Sequence, residues 1–552
     1  MVIGMGSNSS SNGDDAWIEH ALIRPGSIER REYQVSIAGV AKQRNTLVVL
    51  PTGLGKTTIA LLLIADVLDE GGRALFLAPT RVLVHQHYSF LKEHLLHDGI
   101  EVITGATPRH ERVDAWSNAS VICSTPQVAL NDIERGFMGA GDFALLVFDE
   151  AHRAVGDYSY GRIVSLLSSS ATRVVGFTAT LPDERERVLE IARNLRIERI
   201  EVRDESSPDV RPYIKDTKVE FVTVELTPVM RRIRGYVERA LERRLEELRR
   251  LGIIRDSRRV NLRYLISARE YTSGIKGSAR PLYGAIRLSH ALKVLDTQGI
   301  TAFTRFCERL REKGGIGVRS LLEDGDLSAA FELARGAEVS GLEHPKLSRL
   351  LGILNTMLPS DEGKRGKVII FTSYRDSVDA ITSRLRDAGF RVGYLIGKAG
   401  EHGLGQDEQV EAVNRFRTGK YDILVATSVG EEGLDIAECN LVIFYDNVPS
   451  AIRFVQRKGR TGRRMPGRVI VLVTKDTIDE AYHWIGVRKV KQVKSIAYAV
   501  NRMISNASRG GDDDDSSSNS NSSGKTVSYH HHPNGDNNDD GARPTRLDDF
   551  MT

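Results

Sequence analysis

The feature that most restricts how this chain can fold is a strand-to-loop-to-helix junction near its start. The apolar run Leu47 to Leu50 leads into Pro51-Thr52-Gly53-Leu54-Gly55-Lys56-Thr57, and an apolar helical stretch follows. In such a loop the backbone N–H groups around Thr52, Gly53, Leu54 and Gly55 approach phosphate oxygens, Lys56 reaches the β- and γ-phosphates, and the Thr57 hydroxyl can sit on Mg2+. The strict phosphate-loop pattern has a glycine where this chain has Leu50, so the loop needs a partner motif. Leu145-Leu146-Val147-Phe148 supplies it, as a buried parallel strand ending in Asp149-Glu150-Ala151-His152. One carboxylate can hold Mg2+ and the next can orient an attacking water, the division of labour that phosphoryl transfer to water requires. The plainer alternative is an acidic pair complementing a helix dipole. It does not account for both motifs standing in this order and orientation.

A length of 552 residues allows several sizeable cores, and 41% hydrophobic with 27% charged residues is the balance of a soluble globular chain. No apolar run is long enough to span a bilayer. Ser7 to Asp15 is polar and carries no secretory pattern, so residues 1–17 read as a disordered leader and the protein as intracellular. Cys123, Cys307 and Cys439 are far apart and sit among apolar neighbours, which suits buried thiols rather than metal ligands. The net charge of +4 conceals segregation. Arg231 to Arg319 holds 22 basic and 9 acidic residues, a net of +13, whereas Gly510 to Thr552 holds 3 and 9, a net of −6. A basic block of this kind is the footprint of a polyanion-binding surface; the alternative is a set of solvated helix faces.

Strand-like runs alternating with helical stretches place a parallel α/β lobe at residues 18–225, with strands expected at Leu47–Leu50, Ala74–Ala78, Val121–Ser124, Leu145–Phe148 and Val174–Thr178. A second lobe, residues 346–506, repeats the pattern at Val368–Thr372, Arg391–Ile396, Ile423–Ala426, Leu441–Tyr445 and Val469–Val473, without a phosphate loop. Between them, residues 226–345 read as a basic helical insert. Met230, Ile233, Val237, Leu241, Leu245, Leu248 and Leu251 recur at helical spacing there, with arginines on the other face. Residues 507–552 are Asp-, Ser- and Asn-rich, with His530 to His532, and read as a disordered acidic tail.

Gln456-Arg457-Lys458-Gly459-Arg460-Thr461-Gly462-Arg463 places three arginines where they share a face if that segment is helical. Guanidinium groups suit the charge on transferring phosphoryl oxygens, and plain nucleic-acid binding is the other use for such a cluster. Together with the phosphate loop and the acidic strand end, this order resembles the superfamily two helicases over roughly residues 23–500. Tyr33-Gln34 is similar to the Q motif, Pro79-Thr80-Arg81 to motif Ia, Thr125-Pro126 to motif Ib, and Thr178-Ala179-Thr180 to motif III. Phe371-Thr372-Ser373-Tyr374-Arg375 is similar to motif IV, and the string from Ala426 through Gly430-Glu431-Glu432-Gly433-Leu434-Asp435 to motif V. With its DEAH-box spelling the chain most resembles the helicase part of archaeal Hef and the Fanconi-anaemia M protein, through Leu50 to Thr57, the paired Glu431-Glu432 and the helical insert.

The resemblance implies two RecA-like lobes, ATP and Mg2+ as cofactors, and ATP-driven remodelling of forked, branched or single-stranded DNA in fork repair and recombination, in the cytoplasm, nucleoid or nucleus. It implies that Gln34 reads adenine, Lys56 and Thr57 hold phosphates and Mg2+, Asp149 ligates the metal and Glu150 positions water. Arg460 and Arg463 reach the γ-phosphate, Asp435 and Gln456 complete the site, and His152, Thr178 and Thr180 couple hydrolysis to lobe motion. Arg81, Thr125, Ser373, Arg375 and Thr427 would touch the sugar-phosphate backbone; capping and turn roles are the ordinary alternative for the Ser and Thr residues. Hef continues into a nuclease with a Glu-Arg-Lys plus Asp signature. Nothing like it follows Met503, so no nuclease activity is expected. Pro544 to Met551 resembles a sliding-clamp-binding peptide anchored by Leu547, Phe550 and Met551, without the usual leading glutamine; coincidence is the alternative. Two rivals stay open, an RNA-directed superfamily two ATPase like Dicer or the viral-RNA sensors, and a non-catalytic nucleic-acid-binding scaffold.

Overall fold

The computed structural model describes residues 16–214, 217–255, 260–272, 274–313, 317–358, 366–398, 403–427, 439–447 and 467–509. Seven strands, β1 (Thr46–Val49), β2 (Ala74–Leu77), β3 (Ile100–Ile103), β4 (Val121–Ser124), β5 (Leu145–Phe148), β6 (Arg173–Thr178) and β7 (Arg199–Val202), form one parallel sheet in the order β3-β4-β2-β5-β6-β1-β7. The inner strands are short and wholly buried because helices cover both faces. In β5, Leu146 and Phe148 join the layer of Tyr160 and Leu167. Leu145 and Val147 join that of Ile59 and Leu63. Strands β5, β6 and β1 are neighbours, so their carboxyl ends bring Asp149, Thr178 and the phosphate loop to one edge, where parallel α/β sheets take their ligands.

The strands expected at 74–78, 121–124, 145–148 and 174–178 form at or within a residue of those bounds. Strands β3 and β7 escaped sequence reading because both lie at sheet edges and carry charges, Glu101 in one and Arg199 with Glu201 in the other.

The second sheet orders β8 (Thr217–Val224), β9 (Val368–Phe371), β10 (Val392–Leu395), β11 (Ile423–Ala426), β12 (Leu441–Phe444) and β13 (Gly467–Thr474) as β10-β11-β9-β12-β13-β8, again all parallel. The expected boundary at residue 225 is corrected here. Strand β8, inside the span assigned to the first lobe, pairs with β13 along its whole length and edges the second sheet. The reverse exchange occurs at the other end. The long helix Ile478–Arg509 starts on the second lobe and lays Val493, Ala497 and Val500 into the first lobe's core, where Asn501 Oδ1 accepts Ile200 N–H at 3.0 Å. Each lobe is therefore closed by a piece of chain from the other half of the sequence. Contiguity in sequence gave no sign of this, because β8 alternates like any half-buried edge strand.

The insert is helical among the described residues, as its periodicity indicates. Its first helix, Pro228–Arg250, starts with Thr227 Oγ1 accepting Met230 N–H and Pro228 at the first position, and buries Met230, Ile233, Val237, Leu245 and Leu248. Those residues pack on Leu288, Leu295, Phe303 and Phe331 and, further along, on Leu265 and Leu282. The arginines on the other face do not simply solvate. Arg239 and Arg243 pair with Asp326, Arg243 also with Asp324, and Arg234 with the buried Asp296. No described helix is long and apolar enough to cross a membrane.

Candidate functional site

The phosphate loop is shaped by two glycines in the left-handed region, Gly53 at φ +86° and Gly55 at φ +78°, and Gly55 caps the helix Lys56–Asp69. That arrangement aims the first N–H groups of a helix at the space above the loop. Lys56 Nζ reaches back to Leu50 O at 3.1 Å, and Leu50 N–H donates to Thr178 O at 2.9 Å, so the loop is tied to the end of β6. Thr57 sits one residue into the helix, and the Thr52 hydroxyl is buried with no protein partner.

Tyr33 and Gln34, buried on the helix Glu32–Gln43, hold the loop from behind. The Tyr33 hydroxyl donates to Leu54 O at 2.8 Å, and Gln34 Nε2 donates to the same carbonyl at 3.1 Å. The Gln34 amide nitrogen is thus engaged by the loop, which leaves Oε1 as a buried acceptor without a protein partner. An acceptor there suits an exocyclic amine such as that of adenine. A β-carbon on Gly55 would stand 2.2 Å from Gln34 Nε2 and would also have to adopt positive φ. Gly55→Ala is therefore expected to weaken ATP binding by about tenfold or more, since it costs both the strain and the clash; nucleotide titration by fluorescence checks this, and unchanged affinity would contradict the loop's assigned role.

Asp149 follows β5 directly, with its N–H on Leu77 O at 2.8 Å, and its own carbonyl accepts the Tyr160 hydroxyl at 2.6 Å. The carboxylate is buried and meets His87 Nε2 at 2.8 Å. Burial alone would raise its pKa, but the hydrogen bond and charge of His87 together with Lys56 outweigh it and hold the carboxyl below the usual range. Glu150 follows at φ +50°, a left-handed conformation costing about 1–3 kcal/mol in a residue with a side chain. Its Oε2 lies buried 3.3 Å from His152 Nδ1 but makes no hydrogen bond, as that nitrogen is directed at Thr178 Oγ1, 3.1 Å away. The Thr178 hydroxyl donates to Thr180 O at 2.7 Å and so accepts from His152, which puts the imidazole proton on Nδ1. Lys56, Leu50, Thr178, His152 and Glu150 thus form a continuous line along one sheet edge.

His87 was not foreseen. It stacks on Phe76 at 4.3 Å on the helix Arg81–His94, and nothing in Val84-His85-Gln86-His87 singles it out, because its partner is 62 residues away.

The backbone-contact candidates are placed variously. Arg81 is exposed at the first turn of its helix, after Thr80 Oγ1 caps Leu83 N–H. Thr125 is a buried N-cap position, and Thr427 is buried beyond β11. Ser373 gives its N–H and hydroxyl to Asp446 at 2.7 and 2.8 Å, and Arg375 Nη2 donates to Gly397 O at 2.6 Å. Asp435, Gln456, Arg457, Arg460 and Arg463, and the terminal Leu547, Phe550 and Met551, lie outside the described residues.

Two parallel α/β lobes, a left-handed glycine loop and a buried Asp-Glu pair at the same sheet edge define a class, the two-lobed phosphate-loop proteins. A DEAD/DEAH box helicase model matches residues 31–188, and a helicase conserved C-terminal domain model matches residues 345–465. The crystal structure of the Pyrococcus furiosus Hef helicase domain is similar with a TM-score of 0.65 and 38% identity, over 84% of this chain and 99% of that one. A Methanocaldococcus jannaschii protein, by its provisional name an ATP-dependent RNA helicase, is 36% identical over 502 residues, 88% of this chain and 64% of its own. The Neurospora crassa ATP-dependent DNA helicase mph1 is 33% identical over 515 residues, 87% of this chain and 43% of its own. The chain belongs to the superfamily two DEAD/DEAH-box helicases, in the group to which the Hef helicase domain belongs. It spans about half the length of the curated relatives it matches.

Proposed function

We propose that this chain is an ATP-driven DNA helicase or translocase that remodels forked or branched DNA in fork repair and recombination, acting with the cell's DNA. The observation that carries the reading is the single sheet edge at which the phosphate loop, the Asp149-Glu150 pair and the His152–Thr178 hydrogen bond meet, in a chain 38% identical to the Hef helicase domain. Three buried polar atoms that make no hydrogen bond to the protein, Gln34 Oε1, Thr52 Oγ1 and Glu150 Oε2, fit a bound nucleotide and its water. An ionised Asp149 with the Thr57 hydroxyl suits Mg2+, which needs few protein ligands when phosphates supply the rest. When bound, the metal neutralises charge on the β- and γ-oxygens. Lys56 would hold those oxygens from the first lobe and Arg460 and Arg463 from the second, with Asp435 and Gln456 completing the site. Glu150 would orient the attacking water and take its proton. The closed arrangement of the lobes is then favoured only while the γ-phosphate is present, and the line from Glu150 through His152 to Thr178 carries its loss to the lobe's nucleic-acid contacts.

The insert would supply the branched-DNA contact. Several arginines of its first helix are engaged internally, so we assign the contact to the helix Ile300–Lys313. There Arg305 and Arg309, half exposed, make among the described residues only long ion pairs of 3.8 Å with Asp376, beside Ser373, Tyr374 and Arg375, against 2.6–3.1 Å for those of Arg234, Arg239 and Arg243 in the first helix. Replacing both by alanine is expected to weaken fork binding and to reduce the slope of log affinity against log salt by about 2, as two phosphate contacts are lost. An unchanged slope would remove these residues from the interface. A sliding clamp docking on Leu547, Phe550 and Met551 belongs to the same reading and rests on sequence alone.

An RNA-directed reading draws on the provisional name of the Methanocaldococcus relative. ATP hydrolysis stimulated by forked DNA and by duplex RNA at equal concentration separates the two. Stronger stimulation by forked DNA is the expected result, and preference for RNA would replace the DNA assignment.

A further inference from the structure

Lys346 is fully buried, and a lysine is rarely fully buried unless it is paired. It opens the helix Pro345–Met357, immediately after the insert, and its ammonium donates to Asp479 Oδ2 at 2.6 Å and to Tyr445 O at 2.7 Å. Asp479 is equally enclosed, and every acceptor direction on it is filled. Oδ1 takes the N–H and the side-chain amide of Asn447 at 3.0 and 3.1 Å, while Oδ2 also takes Thr474 N–H at 2.9 Å. Burial by itself would raise the Asp479 pKa, but the Lys346 charge and these hydrogen bonds hold it below the usual range, so the pair is ionic. A buried ion pair of this kind contributes little net stability over apolar packing but fixes one geometry.

What it fixes is the segment Tyr445-Asp446-Asn447 at the end of β12. Asp446 accepts the Thr372 hydroxyl at 2.7 Å and both the N–H and the hydroxyl of Ser373, so the same three residues set the turn leading to Tyr374 and Arg375. In sequence they are followed by the stretch carrying Gln456, Arg460 and Arg463. On the other side the pair reaches the insert. His344 Nδ1 accepts Lys346 N–H at 3.1 Å, so its proton sits on Nε2, which donates to Asp296 O at 3.1 Å near the end of the helix Ala279–Gln298. That helix end is pressed onto His344. Gly299 sits at φ +97°, and a β-carbon there would stand 2.9 Å from His344 Cβ. Asp296 in turn receives Arg234 Nε at 3.1 Å from the insert's first helix.

We propose that Lys346 and His344 are positioning residues that transmit the insert's engagement with branched DNA to the second lobe, by way of Asp479 and the Tyr445–Asn447 segment. The chain Asp296–His344–Lys346–Asp479–Asn447 is a rigid, water-excluded connection between an insert helix and the strand end that holds the Ser373 turn. The inference rests on the reading that the insert touches the second arm of a fork while the lobes track one strand. Both side chains are buried, out of reach of a ligand at the surface, so the effect falls on how turnover responds to substrate geometry rather than on binding.

The test uses the full chain with His344→Asn, measuring ATP turnover against concentration of a forked DNA and of a single strand, with thermal melting as a control. Asparagine keeps the helix cap at residue 344 but is too short to reach Asp296 O, so this variant cuts the connection without exposing a charge. The ratio of maximal fork-stimulated to single-strand-stimulated turnover is expected to fall about fivefold or more, with the half-saturating fork concentration unchanged. A purely structural role would instead lower melting temperature, binding and both turnover values together, and would overturn the proposal. A wild-type ratio in a well-folded His344→Asn variant would overturn it as well. Failure of the wild-type chain to distinguish forks from single strands is a separate result, which removes the branched-DNA reading itself.

Discussion

Glu150→Gln is expected to lower ATP turnover by about 10²–10⁴-fold, the range lost when a positioned general base is removed, while nucleotide affinity stays close to wild type. Glutamine is nearly isosteric and meets the same left-handed backbone at φ +50°, so the local strain is unchanged. What disappears is an acceptor able to take a proton. Glu150 Oε2 is buried and makes no hydrogen bond, whereas the adjacent His152 is already committed to Thr178. Phosphate release under saturating ATP, together with equilibrium binding of a fluorescent nucleotide, separates the two effects. If affinity fell in step with turnover, Glu150 would be supporting the loop rather than the attacking water. Turnover near wild type would remove Glu150 from the chemistry.

Asp479→Ala is expected to destabilise the second lobe by about 3–5 kcal/mol, because removing one member of a buried pair strands the other's charge. Lys346 has zero exposure and would keep Tyr445 O as the hydrogen-bond acceptor for its ammonium, while Asn447 N–H and Thr474 N–H would lose theirs. Urea unfolding of the variant and the wild type, followed by far-ultraviolet circular dichroism, measures the loss. A shift worth less than about 1 kcal/mol, the usual value of a surface pair, would mean that water reaches the pair and that it fixes nothing. The result also bears on the insert, since a connection between insert and lobe can transmit only if its middle member is held in one arrangement.

Local pattern explains which parts of the molecule were legible in the sequence. The phosphate loop, the Asp149-Glu150 strand end and the inner strands announce themselves within ten residues, since backbone sterics and continuous burial act over that range. Leu145–Phe148 and Ile423–Ala426 form with the bounds the sequence suggests. Features that depend on distant partners were silent. Strand β8 belongs to the second sheet only because β13, some 250 residues later, offers it an edge. His87 matters because the fold carries it to Asp149, and Lys346 because Tyr445 and Asp479 converge on it. The basic block was half legible. Its charge is real, but Arg239 and Arg243 hold Asp324 and Asp326 within the insert, so net charge overstated the surface left for a polyanion. Gln34 shows the same limit at the level of atoms. The sequence suggests a residue that meets the base, and the fold engages its amide nitrogen with the loop and leaves its oxygen facing inward.

The account depends on a nucleoside triphosphate being consumed at the edge where the phosphate loop meets the Asp149-Glu150 pair, under the control of a bound polynucleotide. Phosphate release from ATP by the purified chain, titrated with single-stranded, duplex and forked DNA, tests this most directly. The account predicts turnover that rises on adding DNA, rises furthest with forks and disappears in Glu150→Gln. No release of phosphate with any nucleic acid, or release that ignores both the DNA and the substitution, would contradict it.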